Sequence, residues 1–367
     1  MTNKKKITLQ DVAKQSGVSI STVSMIVNQK SDVTFSAETI KKVMDAVKTT
    51  GYIIKQSSSA QHRKKESEKL SKIIAVFCPN VTNPYYSTIV QSIEHTAHLC
   101  DYRVFNFNTF RDPSLEKEMI KDVLKMHVSG IIFAMMPSAP EFVEQIGDSV
   151  PVVVIGDKDS SIQLDTIETS NYIAGVLIAE HLLELGHRHA AFISTTLERP
   201  NTMRTRRLQG IQDTFKKVSP ECTVSVYEKK IIPTYERQNI FLEHSIGFEL
   251  CDQCLHSPEA ERITALIGVN DVIAYGVADA ALKAGYEIPK DFSVCGFDNN
   301  FPSRLISVSL TTIEHYMQDK GSDAFQMLYK KMGKERSSSD NVERITRIEY
   351  QPKLIVRDST NRAPIRK

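Results

Sequence analysis

From Ile73 to Phe297 the chain alternates short apolar, β-rich runs with stretches of helical periodicity, and this confines it to an α/β architecture. The runs Ile73–Phe77, Tyr102–Phe107, Gly130–Met135 and Val152–Ile155 are interleaved with helical stretches at Pro84–Cys100, Ser114–His127 and Glu141–Ile146. In the first of these helices Ile89, Ile93 and Ala97 recur every four residues. The pattern restarts at Thr166–Thr169 and runs through helix Asn171–Leu185, strand Ala190–Ser194 and helices Arg204–Lys217 and Asn239–His256. Strand Thr264–Gly268, helix Asp271–Ala284 and strand Ser293–Phe297 complete it. Strands apolar on both faces must be covered on both, so the spacing predicts parallel sheets with crossover helices. Two such runs of roughly 100 to 150 residues predict two doubly wound parallel-sheet lobes, whose ligands bind outside the carboxyl ends of the strands.

The N-terminal segment has a different grammar. Thr8 is positioned to cap a first helix, with Asp11 three residues on as a variant of the capping box. Val12 and Ala13 face inward, and Gly17 supplies the permissive backbone that ends the helix. Ser19 caps a second helix whose apolar positions are Val23, Ile26 and Val27, leaving Ile20, Ser21, Ser24, Met25 and Asn28 outward. Ser36 caps a third helix, Ala37 to Thr50, with Ile40, Val43, Met44 and Val47 as its expected buried stripe and Gly51 as its stop. On its own the first pair could be an ordinary helical hairpin. A short second helix offering hydroxyls and an amide beside lysines is also what the DNA major groove accepts, so the segment reads as an all-α, three-helix helix-turn-helix head.

Charge supports that reading. Residues 1–70 carry 13 Lys and Arg against 6 Asp and Glu, a net +7, which leaves −5 for the rest of a chain whose total is +2. A basic head on an acidic body suits a protein that meets phosphates with one end. The stretch between Ile54 and Lys72 is polar and serine-rich without apolar periodicity, so it reads as a linker. The expected organisation is a head at 1–56, a hinge at 57–70 and a two-lobed effector and dimerisation body at 71–367. Lobe 1 takes about 71–168 and 315–350, and lobe 2 about 169–313 and 351–360. No run reaches the ~18 apolar residues of a bilayer span, and the start carries no secretory signal pattern, so a cytoplasmic location is expected. Six cysteines in this setting read as reduced thiols. Cys251 and Cys254 form a Cys-x-x-Cys inside a helical pattern without a second pair, and read as small buried side chains; His187 and His189 read as structural. No metal site, cofactor or catalytic residue is expected: the chain has no nucleophile elbow, no Walker loop and no metal-ligand cluster.

The chain resembles the LacI/GalR family of bacterial repressors along nearly its whole length. The residues that carry the resemblance are Thr8-Leu-Gln-Asp-Val-Ala, Ser21-Thr-Val-Ser, Asn28 and Gly51-Tyr52 in the head, and Asn83-Pro-Tyr-Tyr86, Leu185-Gly-His-Arg188 and Arg207-Leu-Gln-Gly210 in the body. Asn270-Asp271, Gly296-Phe-Asp298, Leu310-Thr-Thr312 and Val356-Arg357 follow in the same order. The resemblance implies a body built like a periplasmic binding protein. It assigns Ile20, Ser21 and Met25 to base choice, and Thr8, Ser19, Thr22, Ser24 and Asn28 to phosphates or base edges. Met25 stands where the family usually has arginine, so the half-site is expected to differ; packing against the helix and contact to a thymine methyl are both open. Gln61 stands near the position of a hinge leucine that wedges into the minor groove, which implies weaker bending with Lys55 among the phosphate contacts.

In the body the resemblance assigns Arg207, Asn270 and Asp298 to the hydroxyls of a small effector and Tyr85 and Tyr86 to the mouth of its pocket. Asn270 could equally serve as a helix N-cap. Gly156 intervenes before Asp157, where the family often has aspartate directly after the strand. Arg199, Arg204, Arg206 and Arg207 make a basic segment that reads as a solvated surface, with a phosphorylated effector as the alternative. The expected function is a homodimeric transcriptional repressor, without enzymatic activity, that binds a two-fold DNA operator under control of a sugar or phosphosugar. A protein corepressor and a decayed effector pocket are the alternatives.

Overall fold

A computed structural model of the chain describes residues 7–27, 35–52, 71–158, 161–198, 202–304, 309–332 and 344–365. It divides into two compact units, Met1–Leu70 and Ser71–Lys367.

In the first unit three helices, α1 (Leu9–Ser16), α2 (Ile20–Val27) and α3 (Ala37–Thr50), form a small core. Their ends follow the capping logic of the sequence. Asp11 accepts from the Thr8 N–H and hydroxyl, Ser19 Oγ accepts from the Thr22 N–H, and Ser36 Oγ accepts from the Thr39 N–H. Gly17 and Gly51 stop their helices at φ of 71° and 70°. One expectation is corrected. Ile40 and Met44 are 41% and 39% exposed, while α3 buries Val43, Ala46 and Val47. The small Ala46 centres the packing face on 43, 46 and 47, which turns 40 and 44 toward its edge.

In the second unit the elements run β1 (Ser71–Cys78), α4 (Pro84–His98), β2 (Arg103–Asn108), α5 (Pro113–Lys125), β3 (Val128–Phe133), α6 (Pro140–Gly147), β4 (Val152–Asp157) and β5 (Asp165–Thr169). Then come α7 (Asn171–Glu184), β6 (His189–Thr195), α8 (Thr202–Val218), β7 (Thr223–Lys229), α9 (Pro233–Gln238), α10 (Leu242–Leu255), β8 (Ala265–Gly268), α11 (Asp271–Lys283) and β9 (Ser293–Cys295). After a 3₁₀ turn at Phe301–Arg304 follow β10 (Thr312–Glu314), α12 (Met317–Met332), β11 (Arg347–Tyr350) and β12 (Lys353–Ile355).

Lobe 1 is a six-stranded sheet in the order β11-β5-β4-β3-β1-β2, and lobe 2 a four-stranded sheet in the order β7-β6-β8-β9, both parallel throughout. Their cores are the apolar runs seen in the sequence, with β3, β4 and β8 buried at every position. The strand expected at Ser293–Phe297 ends at Cys295, because Gly296 and Asp298 donate their N–H groups to Thr311 and Ile313 instead. The helix expected from Asn239 begins at Leu242, since Asn239 is the extended residue that ends α9. Strand order reverses between β1 and β3 in lobe 1, and between β6 and β8 in lobe 2. Each reversal opens a crevice at the carboxyl edge.

The helices covering lobe 2 approach at glycine. A Cβ on Gly175 of α7 would lie 2.2 Å from the Arg207 carbonyl oxygen of α8, and one on Gly210 of α8 would lie 2.2 Å from that of Tyr172. The α10–α11 pair repeats this, with Gly247 against Ile273 O at 2.2 Å and Gly276 against His244 O at 2.0 Å. Gly175→Ala should therefore force the helices apart and cost about 1–3 kcal/mol. Denaturant titration of the full chain checks this; an unmoved midpoint would show that the helices have room to spare.

Candidate DNA-reading helix and effector cleft

In the head, Thr8, Ser19, Ile20 and Ser21 are exposed, and Thr22, Ser24 and Met25 half-buried. Ser19 Oγ lies 2.8 Å from the hydroxyls of both Ser21 and Thr22. The first turn of α2 thus presents a connected set of hydroxyls beside the exposed Ile20. Asn28, Lys55, Gln61 and Arg199 lie outside the described residues.

In the body two adjoining chambers open at the carboxyl edges of the two sheets. The inner one, about 40 Å³, is lined by Tyr85, Tyr86, Arg207, Asn270 and Asp298 together with Asn83, Arg111, Met203 and Arg204. All five body residues singled out in the sequence thus meet in one cavity. The outer chamber, about 310 Å³, shares Asn83, Arg111 and Arg204 with it and extends to Phe110, Ile231, Glu236, Phe241 and Glu243.

Local structure explains each position. Tyr85 and Tyr86 sit in the first turn of α4, held by the Asn83 cap whose Oδ1 accepts from the Tyr85 N–H, with their rings edge-on at 5.1 Å. Asn270 serves both readings: its Oδ1 accepts from the Ile273 N–H as an N-cap, and its Nδ2 donates to Glu243 at 3.1 Å. Arg207, in the first turns of α8, donates to Asn171 Oδ1 at 2.8 Å and the Val269 carbonyl at 2.6 Å, and lies over the Phe297 ring. Its remaining nitrogen is 3.6 Å from Asp298, whose backbone takes φ 117° after β9. Burial pushes the Asp298 carboxyl up to about 7, against the pull of Arg207. Asp157, displaced by Gly156, accepts from the Asn171 N–H and so steadies the residue that holds Arg207. A Cβ at Gly156 would lie 2.5 Å from the Met136 sulfur, so the strand end admits only glycine there without a shift.

The basic segment is not a solvated face. Arg204, half-buried with its side chain 11% exposed, donates to Thr195 and pairs with Glu243 at 2.8 Å, while Arg206 bonds on the surface, to Gln209. The segment begins a helix at the cleft, so its first turns point inward.

Several cleft residues carried no signal in the sequence. Arg111, at φ 54° after β2, pairs with Glu236 of α9, which also accepts from Asn80 at 3.0 Å. Asn83 donates to Glu243 at 2.6 Å, and Arg237 pairs with Asp112 at 3.4 Å. Each of these bonds joins one lobe to the other. Burial alone would raise Glu243, but Arg204 and Arg111 bring its carboxyl below the ordinary value. Behind Arg207 lie His315 and Lys320, both buried. Desolvation and Arg207 together hold the His315 imidazole well below its usual range and bring the Lys320 ammonium down to about 7. Away from the cleft, His187 bonds Thr264, Ser293 and the Asn361 carbonyl, a structural histidine, and Cys251 and Cys254 are buried. Among the described residues no metal-holding cluster occurs, and no helix is long and apolar enough to cross a membrane.

Residues 8–54 match the family model for bacterial regulatory proteins of the lacI family, and residues 179–360 that for a periplasmic binding protein-like domain. Catabolite control protein A of Priestia megaterium is 30% identical over 349 residues, covering 94% of this chain and 98% of that protein. The lac repressor dimer bound to operator and the anti-inducer ONPF superposes with a TM-score of 0.65 at 25% identity, covering 97% of this chain and all of that one. A ribose-bound LacI family regulator of Enterococcus faecium shares the fold at a TM-score of 0.66 and 21% identity, over 79% of this chain and 99% of that one.

Lys320 yields a signed prediction. Between pH 7 and the ordinary lysine value of 10.5, the unfolded chain binds more protons at this site than the folded one. The penalty of burying the ammonium is therefore full below pH 7 and fades as pH rises. Lys320→Met should raise the melting temperature at pH 6 and gain less at pH 9; an equal gain at both would show that the ammonium carries no such penalty.

Proposed function

The chain belongs to the LacI family of bacterial regulatory proteins and is a DNA-binding transcriptional regulator, and we propose that it is a cytoplasmic, homodimeric repressor without enzymatic activity. Its heads bind a two-fold operator, Ile20, Ser21 and Met25 choosing bases while Thr8, Ser19, Thr22, Ser24, Asn28, Lys55 and Gln61 meet the DNA around them. A sugar settling between the lobes, with a hydroxyl or other substituent reaching Tyr85, Tyr86, Arg207, Asn270 and Asp298, shifts the balance between lobe arrangements and so the grip on the operator.

The observation that carries this reading is the meeting of those five residues in one cavity where both sheets end, in a body that follows a helix-turn-helix head. A carboxyl and a guanidinium on one wall satisfy hydroxyl donors and acceptors together. The operator and anti-inducer held by the similar lac repressor support the pairing of DNA with a small ligand, and the ribose in the Enterococcus regulator supports a sugar.

Two experiments test it. In a randomised-operator selection, Met25→Arg should change the preferred half-site, because arginine reads guanine bidentately and methionine does not. The same selected sequence for both proteins would remove Met25 from base choice, and a binding constant flat in salt would remove the basic head as the contact surface. In the body, Arg207→Ala should weaken the effector about tenfold or more while operator affinity without ligand stays nearly unchanged. Losing one partner of a charge-assisted hydrogen bond costs about 1.5–3 kcal/mol. Unaltered effector affinity in that variant would place Arg207 outside the site.

A further inference from the structure

We infer that the effector is an uncharged glycoside whose sugar ring lies in the outer chamber, between the Arg111–Glu236 and Arg204–Glu243 pairs, with an apolar aglycone packed on Phe110, Ile231 and Phe241. This rests on the reading of the cleft as an effector site.

Size comes first. At about 40 Å³ the inner chamber has room for roughly three waters, since each needs about 10–15 Å³ of such space. It admits a substituent of a sugar and not the ring. The outer chamber, at about 310 Å³, reaches the range of small-molecule pockets, which begins at about 300 Å³.

Charge comes next. Three arginines line the two chambers, and each faces a carboxylate: Arg111 pairs with Glu236, Arg204 with Glu243 at 2.8 Å, and Arg207 with Asp298 at 3.6 Å. A phosphate would bring about two further negative charges to a balanced set and lie against the carboxylates of Glu236, Glu243 and Asp298, which disfavours a phosphosugar. A hydroxyl behaves differently, because it donates to a carboxylate and accepts from a guanidinium at once. Neighbouring hydroxyls therefore bridge an Arg–Glu pair without leaving either ion alone.

The third observation is the apolar side of the chamber. Ile240 and Phe241, at its mouth, are 67% and 78% exposed, and Ile232 close by is 64% exposed. Opposite, Phe110 stands on a left-handed backbone, φ 50°, with Arg237 over its ring. Exposed apolar side chains gathered around a cavity mark a ligand-binding groove, and an aglycone covers them where a bare sugar does not.

The test uses the full-length chain in calorimetric titrations with p-nitrophenyl glycosides of the common hexoses and pentoses, the parent sugars, and their 5- or 6-phosphates. At least one aryl glycoside should bind about tenfold tighter than its parent sugar, and the phosphate no tighter than the parent. Phe241→Ala, an exposed site that the fold tolerates, should erase that tenfold advantage while leaving the parent sugar's affinity within about twofold. A phosphate that binds tighter, or an aglycone advantage that survives in Phe241→Ala, would overturn this inference and leave the effector site standing. Failure of every compound in the panel to bind would overturn the glycoside and the sugar reading together.

Discussion

The carboxylate of Glu243 is shared by the two lobes, and the arrangement of the cleft depends on it. It accepts from Asn83, the cap of α4 in lobe 1, and from Asn270 and Arg204, the cap of α11 and the start of α8 in lobe 2. Three elements from three crossover units therefore converge on one half-buried ion. An isolated carboxylate at that depth would carry a large desolvation penalty; here two amides and a guanidinium offset it, which fixes where each donor stands. Glu236 repeats the device, with Asn80 and Arg111 reaching it from lobe 1. Closure of the lobes is thus written in polar contacts, which a ligand of the right chemistry can replace one for one.

The positions of these groups trace back to backbone packing. Because Gly175 lets α7 press on the carbonyl of Arg207 itself, helix crossing and cleft geometry are the same contact. A side chain at 175 moves not just a helix but the guanidinium that faces Asp298. The sheet ends do similar work, with Gly156 setting Asp157 back so that it steadies Asn171, which in turn holds Arg207.

Much of this was legible in the sequence, for physical reasons. Strands buried on both faces announce themselves as apolar runs, and helix caps announce themselves as Ser19, Ser36, Gly17 and Gly51, because in each case the constraint is local. The five cleft residues of the body were legible through the family motifs that carry them, Asn270 and Asp298 just after strands, Tyr85, Tyr86 and Arg207 in the opening turns of helices. Arg111, Glu236, Glu243 and Lys320 were not, since their partners lie 27 to 160 residues away or, for Lys320, on surrounding elements, and no local rule places a charge inside. The basic segment failed for the same reason: which face of α8 turns inward is decided by the glycine contact with α7. The exposed Ile40 and Met44 show the reverse case, apolar periodicity in a short helix whose packing face is narrower than its apolar stripe.

The return of the chain to lobe 1 has a consequence for how the protein comes into being. After completing lobe 2 through β9, the chain goes back to supply α12 and the edge strand β11 beside β5, then crosses again so that β12 pairs with β10. Ser359, near the C-terminus, closes lobe 2 by donating to the Val294 carbonyl while accepting from the Thr311 N–H. Neither lobe is therefore a contiguous stretch of polypeptide. During synthesis the first five strands of lobe 1 wait, with the β5 edge and the α12 seat uncovered, until nearly two hundred further residues have left the ribosome. The two lobes therefore finish folding together, and the stretch from β10 to Ser359 is the one that commits the whole body.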